Sequence, residues 1–297
     1  MFTTLVAVLV ALALGHVAPA AAVALRRFGV YRRWLQWLDR HSAAEGFWRG
    51  RQGALLAVAP FVLLLAVVQG LLHDRLYGLP SLLLGIAVLA ICWGPRDLDR
   101  DIEAVIDADD ATDRHAAIAQ LQSPGGSLHE DVPSLVEATV LNALRRWFAV
   151  LFWFLLLGPV GALGYRLLAL LAVGPMRSLA SVENVAGARV ALSWLEWPVA
   201  QLMSLSMALV GNFDTAWKAW RAAHGNQWAA SAAFLGAVAR ASVSAELREE
   251  AHDYTDAGML PVWRRLPELR DAMSLVWRML LLWMAALAVL VIAGWVT

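Results

Sequence analysis

The chain has 297 residues, 60% of them hydrophobic and 16% charged, whereas soluble domains average roughly 45–50% apolar and 25% charged. Its 24 basic and 24 acidic side chains cancel, which removes the positive field expected of a nucleic-acid binder. One cysteine, Cys92, excludes an intrachain disulfide and a cysteine-paired zinc site.

The apolar residues gather in six segments, at about 3–25, 52–72, 79–94, 147–173, 190–211 and 274–296. Crossing a bilayer takes about 20 such residues. The composition therefore predicts an all-α, polytopic membrane protein with four to six true spans. The first segment ends in an Ala-rich stretch like a signal peptide, but its arginines follow the apolar run instead of preceding it. It reads as a retained helix carrying His16 and Pro19. Behind it come Arg26, Arg27, Arg32, Arg33, Arg40, Arg49 and Arg51 against Asp39 and Glu45. An excess of arginine marks a cytoplasmic loop. Residues 1–94 thus form an N-terminal membrane region, with the short His73–Gly78 connection outside.

Residues 95–146 return to the cytoplasm as a helical region. A hairpin is expected, Asp97 to Ala108 and Thr112 to Gln122, broken by Ser123-Pro124-Gly125-Gly126-Ser127. A further helix starts near Val132-Pro133 and runs into the fourth apolar segment. Residues 147–211 form a membrane core whose helix is interrupted at Gly158-Pro159, with 174–189 expected outside. Residues 212–273 are a second cytoplasmic region, with helices at about 214–223 and 227–250 followed by Gly258 and Pro261. The C-terminal helix, 274–297, crosses last.

Nucleotide and hydrolase motifs are absent from the sequence. No G-x-x-x-x-G-K-[ST] occurs, and Lys218 is the lone lysine. No histidines stand at i, i+4 as a helical zinc pair requires. Asp97-x-Asp99-x-Asp101 opens like a calcium loop, yet Ile102 replaces the turn glycine and Ala108 the closing glutamate. No metal, cofactor or catalytic residue is expected. Trp48, Trp93, Trp147, Trp277 and Trp295 flank apolar segments, as belt residues do. Trp34 with Trp37, and Trp217 with Trp220, are spaced for amphipathic helices in the headgroup layer.

Two polar positions interrupt the hydrocarbon-compatible runs. An arginine at the centre of a span costs about 2.5–3.5 kcal/mol on insertion scales, so Arg166 needs a partner or a watery cavity. Glu196 is the natural counter-charge. Alternatively the span ends at Tyr165-Arg166 and the arginine snorkels to the surface. Arg145 and Arg146 either receive an anionic headgroup or simply anchor the cytoplasmic side.

The run Val136-Glu137, Asn142, Leu151-Phe152-Trp153, Gly158-Pro159, Gly161-Ala162 and Gly164-Tyr165-Arg166 resembles the CobD/CbiB membrane family of cobalamin biosynthesis. Over nearly the whole chain the sequence is also similar to a divergent relative, the AmpE family. Leu79-Pro80-Ser81, Cys92, Asp113-Arg114-His115-Ala116 and Leu195-Glu196-Trp197 carry that likeness, together with the Arg-rich first loop. The resemblance implies an inner-membrane, multi-pass regulatory protein linked to β-lactamase induction. Its implied partners are the lipid bilayer and cell-wall-recycling or β-lactam-response proteins, not nucleic acid. A ligand site would use Glu137, Asn142, Tyr165, Arg166 and Glu196.

Departures from CobD/CbiB weaken its ligase chemistry. That family's polar N-T-x-D after Tyr165-Arg166 falls on Ala169, Leu170 and Ala172, its second glutamate on Leu141, and its Asp-Gly on Arg145-Arg146. A membrane enzyme of altered substrate stays open as an alternative, as does a small transporter or lipid-handling protein.

Overall fold

The computed structural model describes residues 10, 28–42, 46–72, 79–93, 98–122, 130–225, 231–256 and 265–293. The expected first helix (apart from Val10) with His16 and Pro19, the 73–78 connection, the Ser123–Ser127 breaker, Gly258, Pro261 and Trp295 lie outside them. Among the described residues every regular element is helical.

In chain order the helices are α1 Gly29–His41, α2 Gly53–Leu72, α3 Leu79–Cys92, α4 Leu98–Asp107, α5 Ala111–Leu121 and α6 Val132–Ala143. A π-helical turn, Leu144–Phe148, joins α6 to α7 Ala149–Leu157. Then follow α8 Pro159–Ala172, α9 Val182–Val210, α10 Phe213–Ala222, α11 Ala233–Asp256 and α12 Pro267–Ile292. Short 3-10 turns occupy Phe47–Arg49 and Pro175–Leu179. Polar side chains start several helices by accepting an otherwise unpaired backbone N–H. Asp110 caps α5 through Asp113, Asp131 caps α6 through Ser134, and Asn212 caps α10 through Thr215.

Among the described residues three helices are long and apolar enough to cross a membrane: Gly53–Leu72, Val132–Leu157 and Pro267–Ile292. In α2 the side chains of Leu55, Leu63, Leu64, Val67 and Leu71 are each about 60% exposed. A helix apolar on all sides and exposed on most of them rests only in an apolar solvent. The protein is therefore a helical membrane protein. The other apolar segments differ from simple spans: α3 has 14 residues, and 190–211 lies within α9, which also carries Glu183, Arg189 and Glu196. Segment 147–173 is two helices, α7 and α8, divided at Gly158.

The chain divides into two compact units. The first comprises the described residues of 1–96, 145–195 and 287–297, and the second those of 97–144 and 196–286.

In the first unit α8 packs on α2, α3 and α7. Gly158 lies beside Gln69, and Gly164 beside Val62. These pairs fall in opposite order along the two helices, so α8 runs antiparallel to α2. Helix α1 lies on the early turns of α2: the Trp34 indole donates to the Leu56 carbonyl at 3.2 Å, and the Tyr31 and Phe61 rings meet edge to face at 5.6 Å. Burial pushes the Tyr31 phenol above its ordinary range. It keeps its proton and donates to the Leu167 carbonyl at 3.3 Å.

One expectation about sidedness is overturned in this unit. Residues 174–189 do not lie across the membrane from the Arg-rich loop. The Ser181 hydroxyl donates to the Arg49 carbonyl at 2.7 Å, and the Asn184 amide to the Trp48 carbonyl at 2.9 Å. A Cβ on Gly187 would stand 1.9 Å from the Arg51 carbonyl oxygen, so only glycine lets the two backbones approach. Both segments therefore occupy one side. The physical reason is the break at Gly158: counting 147–173 as one crossing put 174–189 on the wrong face.

The second unit is built around α6. Helices α4 and α5 pack on each other and on α6, which packs in turn on α11, and α10 packs on α11. The two polar stretches, far apart in sequence, thus share most of one unit.

Candidate functional site

The interrupted helix is made by its own sequence. Gly158 sits at φ 68° and ψ −156°, a backbone that a side chain would strain. Pro159 opens α8 at a position where its missing N–H is no loss. Gly161 then folds against the preceding helix: a Cβ there would meet the Trp153 carbonyl oxygen at 2.3 Å. In a continuous helix residues eight apart are about 12 Å apart along the axis. Within α8, Tyr165 is 2% and Arg166 7% exposed, and both are engaged by neighbours. The helix continues to Ala172. Arg166 therefore does not snorkel from a helix end; it is an interior arginine.

The second unit carries a different kind of polarity. Glu137 on α6 pairs with Arg240 on α11 at 2.6 Å. Gly236, one turn before Arg240, leaves room for the glutamate, whose Cδ would lie 2.4 Å from an added Cβ. Next along α11, Glu246 accepts from Arg278 of α12 through both carboxylate oxygens, at 2.6 and 2.7 Å. The Trp277 indole donates to Asp99 of α4 at 2.8 Å, and Arg265 reaches Asp109 at 3.0 Å. Charge-assisted contacts of this length are the stronger class of hydrogen bond. They link α4, α6, α11 and α12 through side chains alone.

Asn142 has a structural duty. Its amide donates to the Leu121 carbonyl and the Ala138 carbonyl, each at 2.9 Å, closing the C-terminal end of α5 onto α6. Glu196 on α9 is 3% exposed and engaged. Of the five candidate ligand residues, Tyr165 and Arg166 belong to the first unit, and Glu137, Asn142 and Glu196 to the second. Neither unit contains all five. Arg145 and Arg146 lie in the π-helical turn, and Arg146 is only 8% exposed, so it is no surface cation awaiting a headgroup. Sequence reasoning passed over Arg240, Glu246, Arg278 and Gly236. A glycine in an otherwise good helix, one turn before an arginine, was the available signal.

The family profile described as "Regulatory signalling modulator protein AmpE" matches residues 51–295. No curated protein and no solved structure matches the chain. The match takes in every helix described above from α2 onward, including the Gly158 break, α8 and the ion-paired helices of the second unit. The chain belongs to the AmpE family of regulatory signalling modulators.

Proposed function

We propose that this chain is a multi-pass protein of the bacterial inner membrane that modulates β-lactamase induction by binding a cell-wall metabolite or a partner protein, without catalysis of its own. The observation that carries the reading is the regulatory family match over 51–295. The chemistry of the second unit supports it. The Glu137–Arg240 and Glu246–Arg278 pairs retain roughly a third of their side-chain exposure. Ion pairs so placed can exchange a partner for a ligand's charge at modest cost, whereas fully buried pairs cannot. Glu137 is thus the candidate residue best placed to answer a signal. Tyr165 and Arg166 are proposed as buried polar groups of the first unit and Glu196 as one of the second, with Asn142 as a support. Deleting the gene should alter the β-lactam concentration at which β-lactamase is induced. The wild-type chain should restore the original curve and Arg240→Gln should restore it incompletely. An unchanged curve after deletion rejects the reading.

Kinship with the CobD/CbiB membrane family is proposed on the same scaffold. What supports it is that Gly158, Pro159 and Gly161 of the shared pattern each have a backbone role at the break. Complementation of a strain lacking the corrinoid ligase should fail, because that family's N-T-x-D and second glutamate fall on apolar residues here and its Asp-Gly on two arginines. Growth would favour the enzyme alternative.

A further inference from the structure

A polar groove of about 430 Å³ opens in the first unit between α1 and the segment following α8. Its size lies within the ~300–1,000 Å³ range of ligand sites. Gln36, Asp39 and Arg40 enter it from α1, Arg49 from the 47–49 turn, and Ser178 and Ser181 from the opposite wall. The Ser181–Arg49 and Asn184–Trp48 backbone ties hold the two walls in register. The Arg49 side chain is 45% exposed and meets Asp39 at 3.8 Å, the outer limit of an ion pair. Most of its fork of donors is thus open to a second anion. Two arginines against one aspartate leave an excess of one positive charge in the groove, which matches a phosphodiester monoanion.

The surroundings identify the source of that anion. Val30, Trp37 and Phe47 are 65%, 48% and 52% exposed, and Trp34 stacks on Trp37 at 5.2 Å. Immediately beyond, α2 begins, with Leu55 64% exposed. An amphipathic helix bearing stacked tryptophans beside the mouth of an apolar helix lies at headgroup depth. We infer that this groove holds the phosphodiester of an anionic glycerophospholipid, gripped by Arg40 and Arg49, with its acyl chains along the exposed leucines of α2. The inference is independent of the regulatory reading and of its polar candidates.

Native mass spectrometry of the full chain tests it, with phosphatidylglycerol and phosphatidylcholine offered in equal amounts and inorganic phosphate in a separate arm. The wild type should retain phosphatidylglycerol in preference. The Arg40→Gln/Arg49→Gln variant should lose that preference by about thirty-fold, the effect of two arginines at an anionic surface. Arg32→Gln/Arg33→Gln, an equal charge change outside the groove, should keep it, and Asp39→Asn, which spares both arginines, should strengthen it. Circular dichroism of each variant checks folding; if the double arginine variant misfolds, the Asp39→Asn result decides. Equal loss in the two arginine pairs would show mere attraction of charge and overturn the site. So would equal retention of the two lipids by the wild type, displacement of phosphatidylglycerol by inorganic phosphate, or weakened retention in Asp39→Asn.

Discussion

The two units are fastened by different means. In the first, side chains mostly bond to backbone: Tyr31 to Leu167, Trp34 to Leu56, Asn184 to Trp48, Ser181 to Arg49, Trp153 to Leu195 and Arg189 to Ala172. In the second, helices are joined largely side chain to side chain, through Glu137–Arg240, Glu246–Arg278, Asp109–Arg265 and Asp99–Trp277. A backbone carbonyl carries no net charge and cannot be titrated away, so the first arrangement is indifferent to salt and pH. An ion pair at intermediate exposure responds to both, through screening and protonation.

The sharpest way to break the comparison is at the closest backbone contacts. Gly187→Ala forces a Cβ to 1.9 Å from the Arg51 carbonyl, and Gly53→Ala to 2.0 Å from that of Trp48. No side-chain rotation relieves either clash. Each should destabilise the chain by about 3 kcal/mol in thermal unfolding in detergent, the upper end of overpacking costs. Near-wild-type stability of Gly187→Ala would mean that the two segments are not so closely joined, and of Gly53→Ala that the turn before α2 is looser. Asn184→Ala should cost about 1–3 kcal/mol by leaving the buried Trp48 carbonyl without its donor. That loss should be the same at 0.1 and 1 M salt (about these concentrations bracket the screening range).

Smaller effects sharpen the other half. A double-mutant cycle on Glu246→Gln and Arg278→Gln should give a coupling of about 1 kcal/mol that shrinks as salt rises. A coupling unmoved by salt would remove the distinction between the units. Gly236→Ala should cost least, about 0.5–1 kcal/mol, because the flexible Glu137 side chain can swing away at the expense of its arginine. Adding Glu137→Gln to Gly236→Ala should then produce little further loss.

Much of the fold is legible in the sequence because its cause is local. Twenty uncharged residues, all but Gln69 apolar, specify α2, Gly158-Pro159 specifies the break, and the Trp34/Trp37 and Trp217/Trp220 spacings fall on α1 and α10, where both pairs stack. The joins are not legible. Asn184 meets Trp48 across 136 positions, Ser181 meets Arg49 across 132, and Glu137 meets Arg240 across 103. No periodicity announces such pairs. The charge rule for loops failed at 174–189 for a related reason: it counts crossings, and a glycine that turns a helix back changes the count without changing the composition. Likewise Arg146 reads as a membrane anchor by position, yet the π-helical turn carries it into the interior.

The segment after α8 docks on the Arg-rich loop. Single cysteines introduced as Gln36→Cys and Ser178→Cys can be probed in intact cells with a membrane-impermeant maleimide, since native Cys92 is fully buried. Both positions should behave alike, either labelled from outside or reached only after permeabilisation. Labelling of one from outside and the other only from within would place a bilayer between two segments that are held here 2.7 Å apart, Ser181 to Arg49, and would contradict the account.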